Sequence, residues 1–219
     1  MADQTNETLF REIDEELRQD QVQKVWKRYG RLILIGAALC VAAVAGYQIW
    51  HNQDLKERRA LSEKFVKAQQ QAAAGEAAEA EAAFRALADE GGGYGLLARF
   101  QQAAVDARAG RTDEALAAYR AIATDGKASA LYKDLAALLA AGLELNRDGT
   151  DAEALKARLT TLAAAGNPWR HGARELLAAL AMKTGDTAAA REQLEALAKD
   201  QETPARMRQR ASELLTILR

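Results

Sequence analysis

The sequence predicts an all-α protein that crosses a membrane once and carries a larger domain of stacked helical hairpins. Three observations support this fold class: an uncharged apolar run at residues 32–50, a composition rich in Ala, Leu and Glu with two prolines, and a motif that recurs every 35 to 40 residues. We therefore divide the chain into a tail at 1–31, a transmembrane helix at 32–50 and a repeat domain at 51–219, with about four helix pairs plus a capping helix.

The apolar run reads LILIGAALCVAAVAGYQIW and holds no Asp, Glu, Lys or Arg. As a helix it is roughly 28 Å long, close to the ~30 Å hydrocarbon core of a bilayer. A cleaved signal peptide is the alternative, because Ala43-Val44-Ala45 fits a small-residue cleavage site. However, a charged region of 31 residues precedes the run, which is too long for a typical signal peptide. We therefore expect an uncleaved anchor.

The charges beside the span predict that the N-terminus is cytoplasmic and that the repeat domain lies outside the cytoplasm. Four basic residues crowd the N-terminal edge: Lys24, Lys27, Arg28 and Arg31. After the span, the first basic residue is Lys56. In the tail, apolar residues recur at multiples of four: Leu9, Ile13, Leu17 and Val25. This spacing predicts an amphipathic helix that either shields its apolar stripe at the bilayer edge or contacts another membrane protein.

The repeat motif consists of a glycine, an alanine five residues later, a large apolar residue at nine, and apolar residues at twelve and thirteen. Clear copies start at Gly75, Gly110 and Gly185, and a looser copy starts at Thr150. The residues at the ninth position are Phe84, Tyr119, Leu159 and Leu194. Glycine can end the first helix of a pair and turn the chain, and alanine allows two helices to approach closely. The motif therefore predicts stacked helix pairs with Phe84 and Tyr119 packed between them.

These residues resemble the tetratricopeptide repeat in its Gly-x4-Ala-x3-aromatic half, although the early Trp and the closing Pro of that repeat are missing. The resemblance implies a tetratricopeptide-like helical-hairpin solenoid with a groove lined by the first helices. Carried over by position, it implies an apolar groove floor at Phe65, Phe100 and Leu139 and a basic edge at Arg108, Arg147 and Lys183. Such a groove would suit an extended or helical peptide. Alternatively, the basic residues only stabilise nearby helix C-termini.

The sequence offers no candidate catalytic residues, and no metal or cofactor is expected. His51 and His171 are the two histidines, and Cys40 lies inside the apolar run, so a metal site lacks ligands at suitable spacing. The serines have no neighbouring histidine and no Gly-x-Ser-x-Gly turn. The net charge of −1, with no basic stripe, argues against nucleic-acid binding. We therefore expect protein partners and membrane lipid.

The whole layout resembles a bacterial family, the ancillary subunit of the Sec translocon, which is an inner-membrane protein with a periplasmic tetratricopeptide domain. This resemblance rests on the acidic tail, the basic cluster before Leu32-Ile33-Leu34-Ile35-Gly36, and the helix that directly follows the span. It implies a periplasmic domain that contacts emerging chains or periplasmic chaperones near the translocon. The alternative function is a structural scaffold that coordinates envelope assembly or cell-division complexes without contacting client chains.

Overall fold

The computed structural model describes residues 3–218, without the side chains of residues 3–26, 29, 33 and 37. The helices are α1 Asp3–Ala74, α2 Ala77–Glu90, α3 Gly92–Arg108, α4 Thr112–Ala123, α5 Ala130–Leu145, α6 Ala152–Leu162, α7 Arg170–Thr184, α8 Thr187–Lys199 and α9 Ala205–Ile217. Within residues 3–218 every regular element is a helix, so the all-α prediction is confirmed.

The contacts within the chain divide it into two units, Met1–Ala60 and Leu61–Arg219. The first unit is the larger part of α1 and contains the apolar run. Its described apolar side chains are mostly exposed, with Leu39 at 65%, Val44 at 62% and Trp50 at 65%. Among the described residues, one helical segment, Gly30–Ala74, is long and apolar enough to cross a membrane.

The second unit is held together by four apolar clusters in the part of the chain that the structure describes. The clusters join α1–α2–α3, α3–α4–α5, α5–α6–α7 and α7–α8–α9 in turn. Each cluster therefore shares one helix with the next. The ninth-position residues of the motif are all in these clusters, with exposures of 0% for Phe84, 5% for Tyr119, 0% for Leu159 and 1% for Leu194. This arrangement makes the motif a packing motif.

Glycines with positive φ end the first helix of each hairpin. Gly75, Gly110 and Gly185 have φ values of 84°, 78° and 80°, which side chains with a Cβ rarely adopt. Between α5 and α6 the same geometry falls on Gly149, with φ 74°, rather than on Thr150. The looser third copy therefore keeps a turn glycine, but this glycine lies one residue before the position from which the apolar residues of the copy are spaced.

Candidate protein-interaction surface

The second helices of the hairpins, α2, α4, α6 and α8, define a row of grooves in the second unit. Each groove lies between two consecutive second helices, and the intervening first helix, α3, α5 or α7, contributes its floor. We call them the α2–α4, α4–α6 and α6–α8 grooves, with volumes of about 500, 350 and 150 Å³. The side chains that line the grooves differ: ion pairs cross the first two grooves, and none crosses the third among the described residues.

The α2–α4 groove is crossed by an ion-pair network around a buried carboxylate. Asp106 on α3 is 7% exposed and accepts a hydrogen bond of 2.9 Å from Nε of Arg111 and one of 2.5 Å from its Nη2. The same guanidinium contacts Glu81 on α2 at 3.4 Å. Charged side chains of α2, α3 and the α3–α4 turn therefore satisfy one another inside this groove, and the residues that α3 contributes to its lining, Arg99, Gln102 and Asp106, are all polar.

The α4–α6 groove is crossed in the same way by Glu144, which is 4% exposed near the end of α5. Arg120 on α4 donates to its Oε1 at 2.8 Å, and Arg158 on α6 donates to both of its carboxylate oxygens, at 3.2 Å for Oε1. Burial favours the protonated form of Glu144, but the hydrogen bonds and positive charges of Arg158 and Arg120 together outweigh burial and hold its pKa below the usual value. The carboxylate thus stays charged and ties α4 to α6.

The α6–α8 groove has an apolar floor, and among the described residues no ion pair crosses it. The floor is formed by Leu177, Leu180 and Ala181 of α7, which are 8%, 6% and 9% exposed. Ala181 lies four residues before Gly185, whereas the residue four before Gly110 is Asp106. The small apolar side chain at this position removes the carboxylate around which the α2–α4 groove closes.

A basic end adjoins this groove beside the C-terminus of α5. It encloses about 190 Å³, is lined by Arg147 and Lys183, and shares Leu180 and Thr184 with the α6–α8 groove. Lys183 donates from Nζ to the carbonyl of Leu145 at 2.6 Å and to that of Arg147 at 3.3 Å. These carbonyls lie at the negative end of α5, where an ammonium group is favourable. The groove therefore combines an apolar floor with a cation beside it.

The structure brings together only part of the residue set implied by the tetratricopeptide resemblance. Arg147 and Lys183 line one cavity. Phe65 and Phe100 line none of the three grooves, and their rings pack in two different apolar clusters. The Phe100 ring contacts the rings of Tyr119 and Tyr132 at centroid distances of 6.1 and 6.2 Å.

The other two residues of that set lie apart from this cavity. Leu139 on α5 is 37% exposed and does not line the α6–α8 groove. Arg108 donates from Nε to the carbonyl of Ala104 in its own helix at 3.2 Å. Arg147 pairs with Asp113 of α4 at 2.8 Å. Arg108 and Lys183 therefore contact backbone carbonyls, and Arg147 forms an ion pair with a neighbouring hairpin.

Sequence reasoning missed the apolar floor. Leu177, Leu180 and Ala181 fit an ordinary buried helix face, and nothing in the run itself marks it as open on one side. The comparison between copies does not mark it either, because the residue four before the turn glycine is apolar both at Ala181 and at Leu145, and the second of these belongs to the groove that Glu144 closes. Within the described part of the chain, no group of three or more His, Cys, Asp or Glu residues is placed to hold a metal ion.

The comparison with protein families agrees with this architecture. The tetratricopeptide repeat-like domain family matches residues 23–166, which is more than half of the chain. The matched region runs from α1 into the loop that follows α6. No curated protein and no solved structure matched the chain. On the family match, the chain belongs to the tetratricopeptide repeat-like domain family.

Proposed function

We propose that this protein is a membrane-anchored protein-interaction module that uses the α6–α8 groove to contact its partner. The observation that carries the proposal is the contrast among the three grooves of one repeat domain. Two are crossed by ion pairs around Asp106 and Glu144, and the third keeps an apolar floor beside a cation. Helical-repeat domains of this kind characteristically bind proteins along their stacked helices. The apolar segment of α1 supplies a means of anchoring to the membrane.

We further propose that the partner is the Sec translocon together with the chains that emerge from it or the chaperones that receive them. The support is the order of segments, in which an acidic tail, a basic cluster, an apolar run and a repeat domain follow one another. The basic residues at the N-terminal edge of the span favour a cytoplasmic tail and a periplasmic repeat domain. The groove belongs to that repeat domain, and would therefore be on the periplasmic side.

Co-purification in mild detergent tests this function. The full chain is extracted from membranes and recovered through a tag, and translocon subunits are quantified by mass spectrometry against an unrelated single-span protein of equal abundance. We expect enrichment of translocon subunits over that control. Enrichment of cell-division or outer-membrane assembly proteins instead would contradict the translocon assignment and favour the scaffold function. Recovery of neither group above the control would contradict the interaction function itself.

A further inference from the structure

Resting on the proposed function, we propose that the α6–α8 groove binds an extended, uncharged segment of an unfolded partner chain. The segment inserts one large apolar side chain above the floor and pairs one of its peptide groups with the side-chain amide of Gln193. The proposal names the chemistry of the occupant, which the family match leaves open. Three features of the groove carry it: its volume and length, the balance of the charges around it, and the amide of Gln193, which has no hydrogen-bond partner among the described residues.

The volume of the groove fits a single apolar anchor. It encloses about 150 Å³ above Leu177, Leu180 and Ala181. An apolar cavity of about this size holds one benzene-sized group. One Leu, Met or Phe side chain therefore fits. Burying that side chain against three apolar residues provides the favourable contact, because it removes apolar surface of both partners from water.

The length of the groove fits about three residues of an extended chain. Seven positions separate Glu153 from Thr160 on the α6 side, and seven separate Asp186 from Gln193 on the α8 side. Seven positions correspond to roughly 10 Å along a helix. An extended chain advances about 3.3 Å per residue. The anchor therefore occupies the middle of the groove, and one neighbouring residue lies towards each end.

The charged residues that line the groove are of both signs. Glu153 lies in the first turn of α6, and Asp186 is the N-cap of α8, where it accepts a hydrogen bond of 3.0 Å from the backbone N–H of Ala189. Both carboxylates are therefore stabilised by helix N-termini. Lys156 follows Glu153 by three positions, so the two opposite charges share one face of α6. A charged occupant of either sign would meet like and unlike charges together.

The cations of the adjoining basic end already have partners. Lys183 donates to the carbonyls of Leu145 and Arg147, and Arg147 is paired with Asp113 at 2.8 Å. The exposed carboxylate of Asp148 lines the same end. A charged segment would therefore lose hydration on entering the groove without gaining an unoccupied ion-pair partner. An uncharged segment avoids this cost, so the balance of charges favours it.

Gln193 supplies an amide that is available to an occupant. Its side chain lines the groove, is half-buried, and makes no hydrogen bond within the part of the chain that the structure describes. The hydroxyls of Thr160 and Thr184, which also line the groove, instead donate to backbone carbonyls of their own helices, at 2.8 and 3.1 Å. A side-chain amide offers an oxygen that accepts and a nitrogen that donates. Gln193 can therefore bond both groups of a peptide unit.

The amide of Gln193 favours an extended segment over a helical one. Inside a helix the backbone N–H and carbonyl groups are already bonded to each other. In an extended, unfolded chain they are available, and leaving them unpaired against a protein surface is costly. Backbone groups are common to all residues, so this contact admits many sequences. The groove is thus suited to an unfolded chain that presents one apolar residue between uncharged neighbours.

Fluorescence anisotropy with the full chain in phosphatidylcholine nanodiscs tests the proposal, and empty nanodiscs correct for peptide bound to lipid. The probes are short labelled peptides that share a neutral polar frame and differ at the centre, with Ser-Leu-Ser, Ser-Ala-Ser, Glu-Leu-Glu or Lys-Leu-Lys. We expect the Ser-Leu-Ser peptide to bind about tenfold more tightly than Ser-Ala-Ser, because the buried leucine side chain supplies most of the affinity. It should bind at least as tightly as either charged peptide, and added salt should change its affinity by less than about twofold. Tighter binding of a charged peptide, or no difference between Leu and Ala, would overturn the proposal.

Two variants locate the apolar anchor. Ala189→Leu fills the groove from α8, and Ala117→Leu places the same bulk in the α2–α4 groove as a matched control. We expect Ala189→Leu to weaken binding of the Ser-Leu-Ser peptide about tenfold and Ala117→Leu to leave it unchanged. Unchanged binding to folded Ala189→Leu would contradict the proposal.

A double-mutant cycle tests the contact with Gln193, and it applies even if Ala189→Leu does not fold. Gln193→Ala is compared with the wild-type chain for binding of the Ser-Leu-Ser peptide and of the same peptide with its central N–H groups methylated. Methylation should weaken binding to the wild-type chain about threefold to tenfold more than binding to Gln193→Ala, as expected for one lost hydrogen bond. Gln102→Ala, in the α2–α4 groove, is the control and should respond to methylation as the wild-type chain does. Equal effects of methylation on the wild-type chain and on Gln193→Ala would show that Gln193 does not bond the peptide backbone.

The outcome is separable from that of the proposed function. If the peptides show no preference but translocon subunits still co-purify with the wild-type chain, the interaction function stands and the uncharged-segment proposal fails. If translocon subunits are absent while the Ser-Leu-Ser peptide binds in the groove, the groove chemistry stands and the translocon assignment fails.

Discussion

Replacing Phe84 by alanine should destabilise one end of the repeat domain and leave the other intact. Phe84 is 0% exposed, and its ring meets that of Phe65 at 5.8 Å in an edge-on arrangement. Removing the ring uncovers on the order of 120 Å² of apolar surface, or about 3 kcal/mol at ~25 cal/mol per Å². The lost ring contact adds about 0.5–1.5 kcal/mol. We therefore expect a loss of about 3–5 kcal/mol, within the range for buried Phe→Ala substitutions.

The assay is hydrogen exchange of the full chain, read by mass spectrometry. Phe84 belongs to the cluster that joins α1, α2 and α3, and that cluster shares no residue with the one that joins α7, α8 and α9. Because repeats contact only their neighbours, α2 and α3 should lose protection while α8 and α9 keep it. Leu194→Ala, a substitution at a residue that is 1% exposed in the last cluster, is the matched control and should reverse the pattern. A loss below about 0.5 kcal/mol, or uniform loss along the domain, would refute this reasoning.

Three further predictions follow from burial and charge. Glu144→Gln should cost about 1–2 kcal/mol at pH 7, since its arginine partners are 59% and 50% exposed and can be hydrated. Because the folded pKa of Glu144 is lowered, its contribution to stability is present above its unfolded pKa and is lost as the pH falls from there through the folded pKa. The loss of urea-measured stability on acidification should therefore be smaller in Glu144→Gln than in the wild-type chain. Phe100→Glu should unfold its hairpin, which circular dichroism would show as a loss of helix, because Phe100 is 9% exposed. Leu139 is 37% exposed, so Leu139→Glu should change the free energy of unfolding by less than about 1 kcal/mol. Protease added to spheroplasts should degrade the chain beyond residue 60, and full protection would reverse the proposed topology.

The fold was largely predictable because the repeat motif records packing directly. An alanine or leucine at the fifth position and a large apolar residue at the ninth must be buried wherever two helices cross, and Ala80, Phe84, Leu155 and Leu159 are all 0% exposed. The turn glycines could also be predicted, because glycine is the residue that most readily adopts the positive φ of these turns. The third turn could not be placed to the residue from the motif, because its glycine, Gly149, lies one residue before the position that the motif assigns to it. A one-residue shift in a turn leaves the pattern of the flanking helices unchanged.

The binding surface was less predictable because burial depends on neighbouring helices. The tetratricopeptide positions imply that Phe65 and Phe100 face a groove, yet both rings pack into apolar clusters between helices. Position within one repeat does not determine which residues of the next helix cover a side chain. Likewise, Arg147 and Lys183 could be recognised as basic residues near helix ends, but not as neighbours in one cavity beside Leu180.

The most direct test of the central claim is photo-crosslinking from the groove in intact membranes. A photoreactive phenylalanine analogue is placed at Ala189, which lines the α6–α8 groove, and in a second chain at Ala117, which lines the α2–α4 groove. Adducts are identified by mass spectrometry. The account predicts adducts with a translocon subunit, or with a chain in transit through it, from position 189 and none from position 117. Translocon adducts from position 117 alone, or none from either position in membranes that contain the chain, would contradict it.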